Sequence, residues 1–135
     1  MDPKKLEDLI TQIENYLECL KQFNQYVAQS RSKKFTQDDE NQFLELKSVL
    51  TQELELILST VECTSPTKDE VIALVSTTPS LRYLSEQNEP SLRNLENQWH
   101  KIYIGWQSIL GQLKVQQRQT VPKTSMWSSL FGRKQ

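Results

Sequence analysis

The sequence predicts an all-α protein: an antiparallel helical bundle of three long helices, with a shorter, proline-broken helical segment at about 67–88. Three observations carry this prediction. Apolar residues recur at steps of three and four over most of the chain, the period of amphipathic helices. Three glycines and five prolines in 135 residues are too few for an all-β sandwich or barrel, which needs a turn about every 8–12 residues. The longest unbroken apolar run, Val71 to Val75, falls far short of the roughly 20 residues that a membrane-spanning helix requires.

The first helix starts with Asp2 as N-cap and Pro3 at the first helical position, where the missing N–H costs nothing. Leu6, Ile13, Leu20 and Val27 repeat every seven residues, and Leu9, Tyr16 and Phe23 come three positions behind them. The stripe runs to about Ser30. Arg31, Lys33 and Lys34 then place cations at the negative end of the helix dipole.

Thr36 followed by Asp39 is a capping-box variant that opens the second helix. Its main face carries Phe43, Leu46, Leu50, Leu54, Ile57 and Val61, with Leu44, Val49, Leu56 and Leu58 on the flanks. A helix apolar on several sides predicts several neighbours, which places this one at the centre of the bundle. It should stop near Glu62, before the turn chemistry of Cys63-Thr64-Ser65-Pro66.

Thr67-Lys68-Asp69-Glu70 reads as a further helix start. Pro79 interrupts that helix, because a residue before proline is pushed out of the α region. Ser80 restarts a short helix through Leu84. Asn88-Glu89-Pro90 opens the last helix, whose seam is the most regular in the chain: Leu92, Leu95, Trp99, Ile102, Trp106, Ile109 and Leu113. Steps of three and four alternate without a break, so both tryptophans are expected inside. The helix should persist to about Gln119. Lengths near 40 Å for each long helix, at about 1.5 Å per residue, suit antiparallel neighbours. Residues 1–119 thus form one predicted domain and 120–135 a basic, aromatic tail.

Charge divides the chain unevenly. Residues 1–96 hold all seventeen acidic side chains and ten Lys and Arg, a net of −7, whereas 97–135 hold six cations and no acid. Such asymmetry directs attention to an acidic partner, a membrane surface or nucleic acid. Lys101, Lys114 and Arg118 have a simpler role open to them, complementing acidic neighbours within the fold. Nucleic acid is disfavoured, because the aromatic seam is committed to the core and the segment 67–88 offers only Lys68 and Arg82 to phosphates.

The tail supplies the clearest functional signal. Met126, Trp127, Leu130 and Phe131 are apolar, with spacings of three and four from Trp127, and Arg133 and Lys134 come after them. Three covers are open to these side chains: their own bundle, a groove on a partner protein, or an anionic membrane with Arg133 and Lys134 at the headgroups. A second, weaker stripe on the last helix comprises His100, Ile104, Gly111 and Val115. Ile104 falls opposite the tryptophan seam, and small residues beside it allow another helix to approach. This face is the candidate self-association surface, unless the 67–88 segment covers it.

Catalysis finds little support. His100 is the single histidine, so no multi-histidine metal site exists, and no phosphate-binding glycine loop is present. Carboxylates such as Asp38, Asp39, Asp69 and Glu70 sit in predicted first turns, where the helix dipole accounts for them. Cys19 and Cys63 read as free thiols, and no cofactor or metal is expected. The expectation is a non-enzymatic, cytoplasmic helical-bundle interaction protein of the adaptor or scaffold kind. It would dock a protein partner, or form a homo-oligomer, through the last helix and tail. The alternative is a peripheral protein at the inner face of a membrane, tethered by residues 125–134.

Overall fold

The computed structural model describes residues 2–61, 66 and 68–120. Among these it contains five helices, α1 (Pro3–Arg31), α2 (Gln37–Leu58), α3 (Lys68–Ser76), α4 (Leu81–Ser85) and α5 (Glu89–Thr120), and no strand. The tail from 121 onward lies outside the described residues, as do Cys63 and the Thr67 cap.

Local chemistry sets most boundaries. Pro3 opens α1, although Asp2 makes no side-chain cap bond. The helix ends as Lys33 enters the left-handed region at φ 62°, its N–H donating to the Ser30 carbonyl. At α2 the capping box is complete: Thr36 Oγ1 accepts from the Asp39 N–H, and the Asp39 carboxylate accepts from the Thr36 N–H. Asn88 accepts from the Ser91 N–H at the start of α5. Between α3 and α4 the chain breaks at Thr77–Ser80, where Pro79 stands. Ser80 then caps α4 through the Tyr83 N–H.

The helices form four antiparallel arms, the third being α3 and α4 together. Gln12 pairs with Glu53 and Tyr26 with Gln42, so α2 runs antiparallel to α1. Arg31 reaches Glu89 and Glu96, and Lys114 reaches Glu14, so α5 also runs antiparallel to α1. The broken arm fills the space between α2 and α5, with Lys68 on Glu55 and Lys101 on Glu70. One carboxylate ties this arm down: Glu40 of α2 accepts from the N–H groups of Leu81 (3.1 Å) and Arg82 (2.8 Å). Glu40→Ala strips both bonds from a helix of five residues. It is expected to cost about 1–2 kcal/mol in a urea unfolding curve.

Three expectations need correction. The central helix is α1, which packs against α2, α4 and α5. α2 lies to one side, and its flanking Leu44, Val49 and Leu56 are exposed rather than buried against further helices. Its 22 residues also make it shorter than the 29 of α1 and the 32 of α5, about 33 Å against 44 and 48 Å. Finally, Arg31 does more than answer the dipole of its own helix, since it bridges two carboxylates of α5.

The seam of α5 is buried at Leu92, Leu95, Ile102, Trp106, Ile109 and Leu113. Trp99 sits at its edge, part-buried, with its indole N–H donating to the Leu20 carbonyl at 2.7 Å. Trp106 lies deep inside, edge-on to Tyr16 with ring centroids 5.6 Å apart. Tyr16 in turn donates its hydroxyl to the Leu50 carbonyl, which links the core to α2.

Candidate interaction surface

Apart from Leu44 and Tyr83, the large exposed apolar side chains among the described residues fall on two surfaces. The first is the side of α5 opposite its buried seam. Ile104 is 49% exposed and Val115 43% exposed. Beyond its own stretch of helix backbone, no described atom lies within 4 Å of the place a Cβ would occupy at Gly111. His100 is exposed on the same side. At helical spacings of 4, 7 and 4 these four residues share one stripe, and the structure leaves it uncovered by the 67–88 arm. That arm and Pro66 before it meet α5 elsewhere, at Lys101 and Gly105.

Cations flank the stripe. Lys101 pairs with Glu70 at 3.9 Å and Lys114 with Glu14 at 3.3 Å. Each lysine is about half exposed or more, so these pairs contribute little to stability. Tyr103 stacks on Trp99 at 4.8 Å where α5 borders α1, which fills the next groove round the helix. Sequence periodicity carries no sign of that stack, since Tyr103 lies off the seam.

The second surface runs along the outer junction of α1 and α2. Leu56, 57% exposed, and Val49, 37% exposed, lie one heptad apart on it. Cys19 of α1 is part-buried and free, level with the Val49 end of this surface by the register of the Gln12–Glu53 and Tyr26–Gln42 bonds. Burial pushes its thiol pKa up, and the nearby carboxylates Glu53 and Glu18 push it further in the same direction. The thiol is therefore protonated and a poor nucleophile at neutral pH. Periodicity assigns Val49 and Leu56 to helix contacts, so sequence alone misses this surface. The signal that marks it is the absence of any Lys or Arg on a stripe where two apolar residues stand among acids.

The tail residues Met126, Trp127, Leu130, Phe131, Arg133 and Lys134 lie outside the described residues. A cleft of about 200 Å³ between α4 and α5 is lined by neutral side chains, among them Tyr83, Gln87, Asn94 and Gln98. A second, of about 440 Å³, is bordered by Arg82 and by Glu40, whose carboxylate is engaged on α4. Neither brings a nucleophile, a base and an orienting group together. Among the described residues no group of three or more His, Cys, Asp or Glu could hold a metal ion, and no helix is long and apolar enough to cross a membrane. Comparison with protein-family models, with curated proteins and with solved structures found no match.

Proposed function

We propose that this chain is a non-enzymatic helical-bundle interaction protein of the adaptor or scaffold kind. It docks a partner protein, or a second copy of itself, through the outward face of α5 and the C-terminal segment. The observation that carries the proposal is the uncovered stripe on α5. Ile104 and Val115 expose apolar surface beside an open Gly111, at helical spacing, on a helix that continues towards the tail. Apolar groups repeated along one solvent-facing stripe are the anchors of helix-in-groove recognition. Trp127, Leu130 and Phe131 extend the anchor set in sequence. Residence in the cytoplasm is part of the proposal.

A second reading rests on charge. Residues 97–135 carry six cations and no acid, and the tail adds rings to that charge. This suits peripheral binding to an anionic membrane surface, at its inner face.

Ile104→Asp and Trp127→Ser separate the readings. Wild-type protein is expected to self-associate in sedimentation velocity or to retain a partner as bait. Ile104→Asp is expected to weaken either about tenfold, the effect of some 1.4 kcal/mol. Wild type that is monomeric and retains nothing removes the docking reading. Co-sedimentation with anionic vesicles that is lost in Trp127→Ser and kept in Ile104→Asp establishes the membrane reading instead.

A further inference from the structure

The geometry points to the acidic outer groove between α1 and α2 as the resting place of this chain's own residues 126–134. The inference rests on reading those residues as a docking segment, and it adds where they lie when no partner holds them.

The floor of the groove is apolar and exposed. Leu56 and Val49 supply it from α2, and part-buried Cys19 of α1 stands level with the Val49 end. Its charged rim is acidic beyond Lys4 and Lys5, which stand at the end nearest the C-terminus of α5. On α2, Glu45 lies one turn from Val49 on the same stripe, and Glu53 spans the junction through its bond with Gln12. On α1, Asp8 stands at one end of the stripe, paired with Lys4, and neutral Asn15 lies between it and Cys19. Glu18 is close enough to act, with Glu53, on the Cys19 thiol. No Lys or Arg falls on the α1 stripe from Asp8 to Tyr26 or on the α2 stripe from Gln42 to Leu56. Lys21 reaches Glu18 from the side of α1 that faces Tyr103, and Lys47 lies over the Phe43 ring.

The occupant must therefore be basic, with large apolar side chains. Residues 123–134 fit: Lys123, Arg133 and Lys134 bracket Trp127, Leu130 and Phe131, with no acid. Charge also favours the groove over the nearer course. A basic tail laid back along α5 meets Arg118 and the paired Lys101 and Lys114, whereas in the α1–α2 groove no described Lys or Arg pairs with Glu45 or Glu53.

Reach permits the connection. Lys114 pairs with Glu14, so Thr120 stands level with about residue 8 of α1. Gln12 bonds to Glu53, so Leu56 stands level with about residue 9. The chain need only cross the end of the bundle. With neighbouring axes about 8–10 Å apart, that crossing is on the order of 20 Å. Six extended residues after Thr120 span about 20 Å.

The test uses the full chain with fluorotryptophan at its three tryptophans, the Trp127 resonance being assigned with Trp127→Phe. In wild type the Trp127 resonance is expected to be as insensitive to replacement of H2O by D2O as that of Trp106. In Leu56→Glu and in Glu45→Lys its solvent shift is expected to rise to that of free fluorotryptophan. Both substitutions are at exposed sites, and an unchanged Trp106 resonance verifies the fold. A Trp127 already fully solvent-sensitive in wild type overturns the inference. So does protection that survives both substitutions. Protection that vanishes on dilution assigns the groove to a second copy's tail and overturns the intramolecular form. None of these readouts depends on a partner or vesicle, so failure here leaves the proposed docking function to its own test.

Discussion

Trp106→Ala is expected to destabilise the bundle by about 3–5 kcal/mol, read as a shift in the urea midpoint at unchanged slope. The side chain is fully buried, packs edge-on against Tyr16, and stands where α5 meets α1. Its removal leaves a cavity at the junction that Tyr16 extends to α2 through the Leu50 carbonyl. A domain of this size holds about 5–15 kcal/mol in all, so the loss is a large share of it. Trp106→Phe gives the sharper test. The indole Nε1 is buried without a hydrogen-bond partner, a desolvation cost that phenylalanine does not incur. Phenylalanine also keeps most of the ring volume, and the expected loss is about 1–2 kcal/mol.

The contrast between the two tryptophans marks how far the sequence could be read. Their shared seam required both to face the bundle, and both do, but periodicity cannot distinguish the middle of an interface from its edge. Trp99 is at the edge of the contact with α1, and its N–H finds the Leu20 carbonyl only through a contact 79 residues away in sequence. The same limit explains α2. Thr36 and Asp39 determine its start within four residues of each other, so the capping box was legible. Whether Val49 and Leu56 are covered depends on how many helices stand around α2, which no local pattern encodes. Arg31 shows the limit in charge: its place in the last turn suggests the dipole, while its partners Glu89 and Glu96 arrive with the tertiary fold. The stripe at His100, Ile104, Gly111 and Val115 could be read because it depends only on position round one helix. The α1–α2 groove could not, because it needs two helices in register.

Two glycines on one helix are expected to respond to alanine with opposite signs. A Cβ at Gly105 would stand 2.7 Å from Pro66 Cδ and 3.2 Å from Pro66 N. A proline ring and its backbone nitrogen cannot rotate away, so the segment entering α3 must move off α5. Gly105→Ala is therefore expected to cost about 1–3 kcal/mol, despite the gain in helix propensity. At Gly111 no described atom beyond its own stretch of helix backbone lies within 4 Å of that place. Gly111→Ala there is expected to stabilise the chain by about 0.5–1 kcal/mol, because alanine loses less backbone entropy in a helix interior. Thermal or urea unfolding of the two variants side by side checks both signs. The second result bears on function as well. A glycine that weakens its own helix and has open space at its Cβ position has no packing reason to be there. Close approach by another molecule supplies one. If Gly111→Ala raises stability while weakening docking through the Ile104 face, the open space at Gly111 is part of the binding surface. A variant that is more stable and docks unchanged would confine that surface to Ile104, Val115 and the segment beyond.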